Sequence, residues 1–249
     1  MISHNFNGIS GIYYRELTVL RKKLLRVVAA AAVPPFLYLM AFGFGVGQNT
    51  EVNGASYLQF LIPGLIAMAS MNQSYNIATE INISRFYLKI FEEFLLAPNG
   101  RWQIMAAEVL YGITRGLIPV AIILLYSLGC QVELHLTLWT ILALLLHLCV
   151  FALIGFIVAL KMKHHRDQAS MNAFVITPMM FLSGTFFPVD QMPLVIQWLA
   201  ALSPLTYSAE LLRDGLSNQP LELGSIWALL GLITVLATYG IHSLKRMEP

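Results

Sequence analysis

The sequence predicts an all-α integral membrane protein with six transmembrane helices, and three observations carry that prediction. Apolar residues make up 57% of the 249 positions and charged residues only 11%, against about 25% charged in soluble domains. Mean hydropathy is +0.70, more apolar surface than a soluble fold of this size can hide, so the solvent is largely lipid. Six apolar runs recur, each near the roughly 20 residues a helix needs to cross about 30 Å of hydrocarbon. None alternates with the period of two expected of a barrel strand, so helices must satisfy the backbone.

The first element precedes the first span. Ile9, Ile12, Tyr13, Leu17, Leu20 and Leu24 fall at helical spacing, with Arg15, Lys22 and Arg26 on another face. That pattern predicts an amphipathic helix over 9–25, within an arm of residues 1–26, lying in the membrane interface. A solvated basic arm that only sets topology is the plainer reading. The first span, 27–47, is too long for a signal-peptide core and no A-x-A site closes it, so it reads as an uncleaved helix. The second span covers 57–77.

Residues 85–97, RFYLKIFEEFLLA, mix charge with large aromatics and end at Pro98, Asn99 and Gly100. Such a segment cannot span. Its apolar residues need lipid headgroups or a protein partner, which makes it a candidate docking helix.

Spans three to six cover 103–128, 138–160, 172–188 and 225–243, closing a bundle of residues 27–243 with a tail of 244–249. The stretch between the last two is apolar but cut by Pro193 and Pro204. Proline inside a helix removes a hydrogen bond and clashes with the preceding turn. Two helices of about ten residues reach roughly 15 Å, half the bilayer. A re-entrant helical hairpin between spans five and six fits best.

Orientation follows from lysine and arginine in the loops. The N-terminal arm, the second and fourth loops and the C-terminus hold thirteen of the fifteen basic residues. Arg213 alone lies on the opposite side, and Arg115 within a span. Both termini are therefore expected to face the cytoplasm.

The chemistry is sparse. None of the six lysines follows a glycine, so no P-loop exists to hold a nucleotide. No H-E-x-x-H, C-x-x-C or G-x-S-x-G occurs. His164 and His165 sit in a basic loop without a convincing third metal ligand, and no metal site is expected. A net charge of +2 excludes a nucleic-acid binder, and two cysteines, Cys130 and Cys149, make no disulfide framework. Ionisable residues within spans are functional candidates by default. Glu108 and Arg115, seven apart on the third span, face nearly the same way, but the roughly 10 Å of rise between them is long for a direct pair. Glu80 is a second candidate partner for Arg115, whose role is either helix packing or substrate contact. The inventory fits a transporter half driven by another subunit better than a stand-alone secondary transporter, which needs midplane carboxylates and paired broken helices.

Two longer patterns resemble a known family. Phe91-Glu92-Glu93-Phe94-Leu95-Leu96-Ala97-Pro98, followed by Arg115-Gly116-Leu117, is similar to the cytoplasmic signature of ABC-2 type transporter permeases. The run from Pro178 through Ser183-Gly184 and Phe187-Pro188 to Met192-Pro193, then Leu202-Ser203-Pro204-Leu205-Thr206-Tyr207 and Arg213, resembles the family's C-terminal signature. Gln59-Phe60-Leu61-Ile62-Pro63-Gly64-Leu65 also resembles it. The branch is that of bacterial inner-membrane permeases, including drug, nodulation-factor and polysaccharide exporters.

The resemblance implies an exporter of two permease chains and two separate ATP-binding subunits, with no cofactor in this chain and ATP and magnesium held by the partner. It implies that residues 85–98 couple to the ATPase through Arg85, Lys89, Phe91, Glu92, Glu93, Phe94 and Pro98. The N-terminal helix would flank that interface, and the hairpin at 190–216 would close the outer end of the path. Phe181, Phe186, Phe187 and Tyr207 either line an apolar path for a drug, lipid or lipid-linked glycan or pack helices. The outer loops, at 48–56 and 129–137, are too short for a periplasmic substrate-binding domain. A homodimer is expected, with a heterodimer of related permeases as the alternative.

Overall fold

In a computed structural model, residues 2–47, 51–52, 54–97, 100–162 and 164–246 are described, and they are almost entirely helical. Helix α1 (Ile2–Tyr38) runs without a break into π-helical turns at Leu39–Val46. No joint separates the amphipathic arm from the first span, so the expected boundary at residue 26 falls inside one helix. Nor does the apolar face of the arm lie free for lipid headgroups. Ile12 and Leu20 are buried in the main core, with Ile9, Tyr13 and Leu17 packed beside them, because α1 lies along α5 (Arg101–Gly129). The Tyr13 hydroxyl meets Thr114 Oγ1 at 2.8 Å across that contact. Tyr14, Leu24 and Leu25 point outward.

A two-stranded hairpin, β1 (Glu51–Val52) and β2 (Ala55–Ser56), leads into α2 (Tyr57–Tyr75). Ser56 and Gln59 close a capping box there, each satisfying a backbone N–H. Helix α2 is the centre of the molecule, buried on nearly every side and packed on α5, on α6 (Leu138–Lys161) and on α10 (Pro204–Leu216). Helix α3 (Ile77–Phe86) prolongs it past Asn76. Lys89 takes the left-handed conformation (φ 56°), and the short α4 (Ile90–Leu96) follows. The docking segment is thus two pieces: Arg85 belongs to the last turn of α3, and only the second half forms the separate helix.

The fifth apolar run also differs from expectation. It is helical from α7 (His165–Met171) through π turns at Asn172–Ile176 to the end of α8 (Thr177–Leu182). It begins seven residues before the predicted start and stops six before the predicted end. The stop has a local cause: Gly184 takes φ 78°, a conformation that ends a helix and that a side chain resists. Helices α9 (Leu194–Ala201) and α10 follow, and α11 (Leu223–Lys245) closes the chain. Among the described residues four helices, at Gly8–Gly45, Arg101–Gly129, Leu138–Lys161 and Leu223–Lys245, are long and apolar enough to cross a membrane by length and composition.

Candidate functional site

The basic end of the bundle gathers the base of α1, the α3–α4 elbow and the C-terminal ends of α6 and α11. Arg85 Nη1 donates to the Ala159 carbonyl, anchoring α3 to α6, and burial lowers the affinity of its guanidinium for a proton. Phe91 is 1% exposed and sits in the main core. Phe94 packs edge-on against Phe91, with the Arg15 guanidinium 5.6 Å from its ring centroid. Phe91 is therefore not available as an anchor for a partner, because the chain's own core has taken it, whereas Phe94 stays half-buried against that core. Glu92 and Glu93 project outward. Helix α4 is thus a knob with an apolar root in the bundle and an exposed acidic crown. Pro98 lies outside the described residues.

Between α5 and α3, Arg115 and Glu80 form an ion pair. Arg115 is 7% exposed, as a mid-span guanidinium must be. Its Nη1 pairs with Glu80 Oε1 at 2.9 Å and its Nη2 donates to Gln73 Oε1, also at 2.9 Å. The Tyr111 hydroxyl donates to the other Glu80 oxygen. Glu108 is buried nearby and makes no ion pair with Arg115; the rise along α5 separates them. Gln73 also lines a cavity of about 70 Å³ with Pro34, Pro35, Tyr38, Asn72 and Met180.

Of the four aromatics, Phe181, Phe186 and Phe187 gather around Tyr38 and Phe42. Phe186 is 1% exposed, ringed by Tyr38, Phe42 and Phe181 at centroid distances of 5.3, 4.8 and 5.4 Å. Its carbonyl accepts from the Tyr57 hydroxyl at 2.9 Å. Packing, not lining, is what Phe186 does within this chain. Phe181 and Phe187 keep an exposed face. Tyr207 lies apart, its hydroxyl donating to the Ala201 carbonyl at 2.8 Å.

That last bond belongs to a turn. Pro193 precedes α9, and Pro204 opens α10, where a missing N–H costs nothing. The carbonyls freed at the end of α9 accept from Thr206 Oγ1 at 2.7 Å and from Tyr207. Ser203 caps α10 and meets Ser183 at 2.7 Å. A bent backbone with its polar groups met by protein is the form tolerated at membrane depth.

The model of the ABC-2 type transporter family matches residues 8–216, which include the elbow, the ion pair and the turn. The chain belongs to that family. Among curated ABC-2 relatives, the inner membrane transport permease YadH of Escherichia coli K12 is 33% identical over 217 residues, 84% of this chain and 82% of its own length. Nodulation protein J of Rhizobium leguminosarum bv. viciae is 28% identical with the same coverage, and that of Rhizobium meliloti strain 1021 is 27% identical over 96% of this chain and 90% of its own. This ABC-2 protein is a transport permease component, multi-pass in the inner membrane.

The ABC-2 fold also holds a polar centre that the sequence did not announce. His147, 0% exposed on α6, contacts Ser70 of α2 through Nε2 at 3.0 Å and Ser208 of α10 through Nδ1 at 2.8 Å. One imidazole thus ties three helices. A lone histidine in the apolar run 138–160 was the available signal, but its partners lie 77 and 61 residues away in sequence.

Proposed function

We propose that this chain is the membrane-spanning subunit of an ATP-driven exporter, working as a homodimer with two copies of a separate ATP-binding cassette subunit. Six segments cross the membrane, both termini face the cytoplasm, and α9–α10 re-enter from the outer face. The substrate is amphipathic or lipid-linked: a drug, a lipid or a glycan. The observation that carries the reading is α4. Its acidic crown is exposed on a root held by Phe91 and Phe94, so a push on Glu92 and Glu93 is delivered to α1 through Arg15 rather than lost in a flexible loop. A protein-docking role accounts for that stiffness; a helix resting on anionic headgroups would place carboxylates where they are repelled.

Two-fold closed assembly is the commonest oligomeric form, and the apolar faces of Phe174, Phe181, Phe187 and Trp198 offer surface to lipid or to a second copy. The deciding experiment reconstitutes the chain with its ATPase in vesicles. ATP-dependent flux, absent with either subunit alone, is the expected result. Flux driven by an ion gradient without ATP, or ATP hydrolysis by the purified chain alone, overturns the reading.

A further inference from the structure

At the end of the bundle opposite the basic one, a cavity of about 390 Å³ opens between the start of α2, the loop joining α5 to α6, and the end of α10. Gln59, Glu133, His135, Arg213, Asp214 and Gln219 furnish its polar wall. The volume is an order of magnitude above the roughly 30 Å³ that one water occupies in the liquid.

Arg213 is held from behind. Its guanidinium lies 4.0 Å over the Phe60 ring, Nη2 donates to the Gly184 carbonyl at 3.0 Å, and Nε is buried without a hydrogen-bond partner. Among the described residues the ion pairs are Arg15–Glu16 and Arg115–Glu80, so no carboxylate comes within 4.0 Å of Arg213. Glu133 and Asp214 line the same cavity, equally unpaired. Asp214 and Glu210 act on the Arg213 charge through space, but among the described residues no ion pair joins the two signs of charge on this wall. A ligand carrying an anion and a cation a few ångströms apart would satisfy both, the anion on the guanidinium fork and the cation against the carboxylates.

We propose that this cavity binds a zwitterionic phosphate–amine group, its phosphate on Arg213 and its ammonium on Glu133 and Asp214. The cavity lies where α2 and α6 begin and α5 ends, the depth at which apolar helix gives way to polar loop. That depth favours the headgroup of an ethanolamine phospholipid over a solute. The site rests on membrane insertion alone; the orientation proposed above decides only which leaflet supplies the lipid.

The test titrates the purified full chain in detergent with dihexanoyl-phosphatidylethanolamine, dihexanoyl-phosphatidylglycerol and glycerophosphoethanolamine. Binding is read by native mass spectrometry, which needs neither the ATPase nor transport. The ethanolamine lipid is expected to bind at least tenfold more tightly than the glycerol lipid. Glu133→Gln, a change of an exposed loop side chain, is expected to abolish that preference. Arg213→Gln should weaken both lipids, although it also releases Gly184, so Glu133→Gln carries the decision. Competition by glycerophosphoethanolamine would mean that the free headgroup suffices, and its absence that the lipid is the source; either keeps the zwitterion. Equal binding of the two lipids by the unaltered chain, or an unchanged preference in Glu133→Gln, overturns the proposal.

Discussion

Arg115 and Glu80 meet at 2.9 Å between α5 and α3, with the guanidinium's second arm on Gln73 and the carboxylate's second oxygen on Tyr111. The pair therefore clamps both α3 and the end of α2 to α5, across the elbow at Asn76. Isolated charges at this depth would be expensive; together, with both guanidinium Nη arms and both carboxylate oxygens engaged and only Arg115 Nε left without a partner, they hold the central helix in one register.

Breaking the pair from one side should cost far more than removing it whole. Losing one partner of a buried pair costs about 3–5 kcal/mol, and because the Glu80 side chain is 21% exposed, the lower figure is expected. Arg115→Leu and Glu80→Leu should each lower the unfolding temperature in detergent, and the double variant should recover much of the loss. A double variant as unstable as the two single losses added together would mean that the residues do not act as a pair.

The acidic crown of α4 should matter to association and not to folding. Glu92→Ala/Glu93→Ala is expected to insert normally, then lose the ATPase subunit in a pull-down and lose transport. Interface hot spots cost about 2 kcal/mol or more, roughly thirtyfold in affinity. Phe91→Ala should behave in the opposite way, destabilising the chain itself by about 3–5 kcal/mol because its ring fills the core. If the glutamate variant transports at the normal rate, α4 is not the coupling element.

His147→Phe should loosen α10 with only a small loss of global stability. Ser70 already donates to the Ile66 carbonyl at 2.5 Å, and Ser208 to that of Leu205 at 3.2 Å. Both hydroxyls therefore keep a partner when the imidazole goes, and the cost should sit near the lower end of the about 1–3 kcal/mol range for a disrupted buried bond. Hydrogen exchange should show faster amide opening in 204–216 than in 138–161. Uniform acceleration in both helices would argue against a tie specific to α10.

At Gly155, α6 lies close against the end of α2. A Cβ there would fall 2.5 Å from the Tyr75 carbonyl oxygen, a backbone atom that can yield only if a helix moves. Gly155→Ala is expected to cost about 1–3 kcal/mol, the usual range for overpacking, seen as a lowered unfolding temperature. Gly231→Ala, with open space around it, serves as the control and should be neutral or slightly stabilising through helix propensity.

The sequence by itself determined the membrane class, the helical bundle and the break at Pro204, because each rests on local chemistry. Lipid demands about 20 apolar residues per crossing, and proline withholds a hydrogen bond wherever it stands. The tight match of α5, α6 and α11 to runs 103–128, 138–160 and 225–243 reflects that demand. The apolar stripe Ile9–Leu20 and the ring of Phe91 were equally visible, but their destinations were not. Burial of apolar surface is non-directional, so a stripe that could lie on headgroups is satisfied as well by α5, and only the packed structure shows which one took it. The partner of Arg115 was likewise open. Helical period put Glu108 on its face, yet rise along the axis kept the two apart, and Glu80, thirty-five residues away, supplied the carboxylate. The tie of Ser70, His147 and Ser208 had no local trace, since hydrogen bonds between helices depend on which faces the fold brings together.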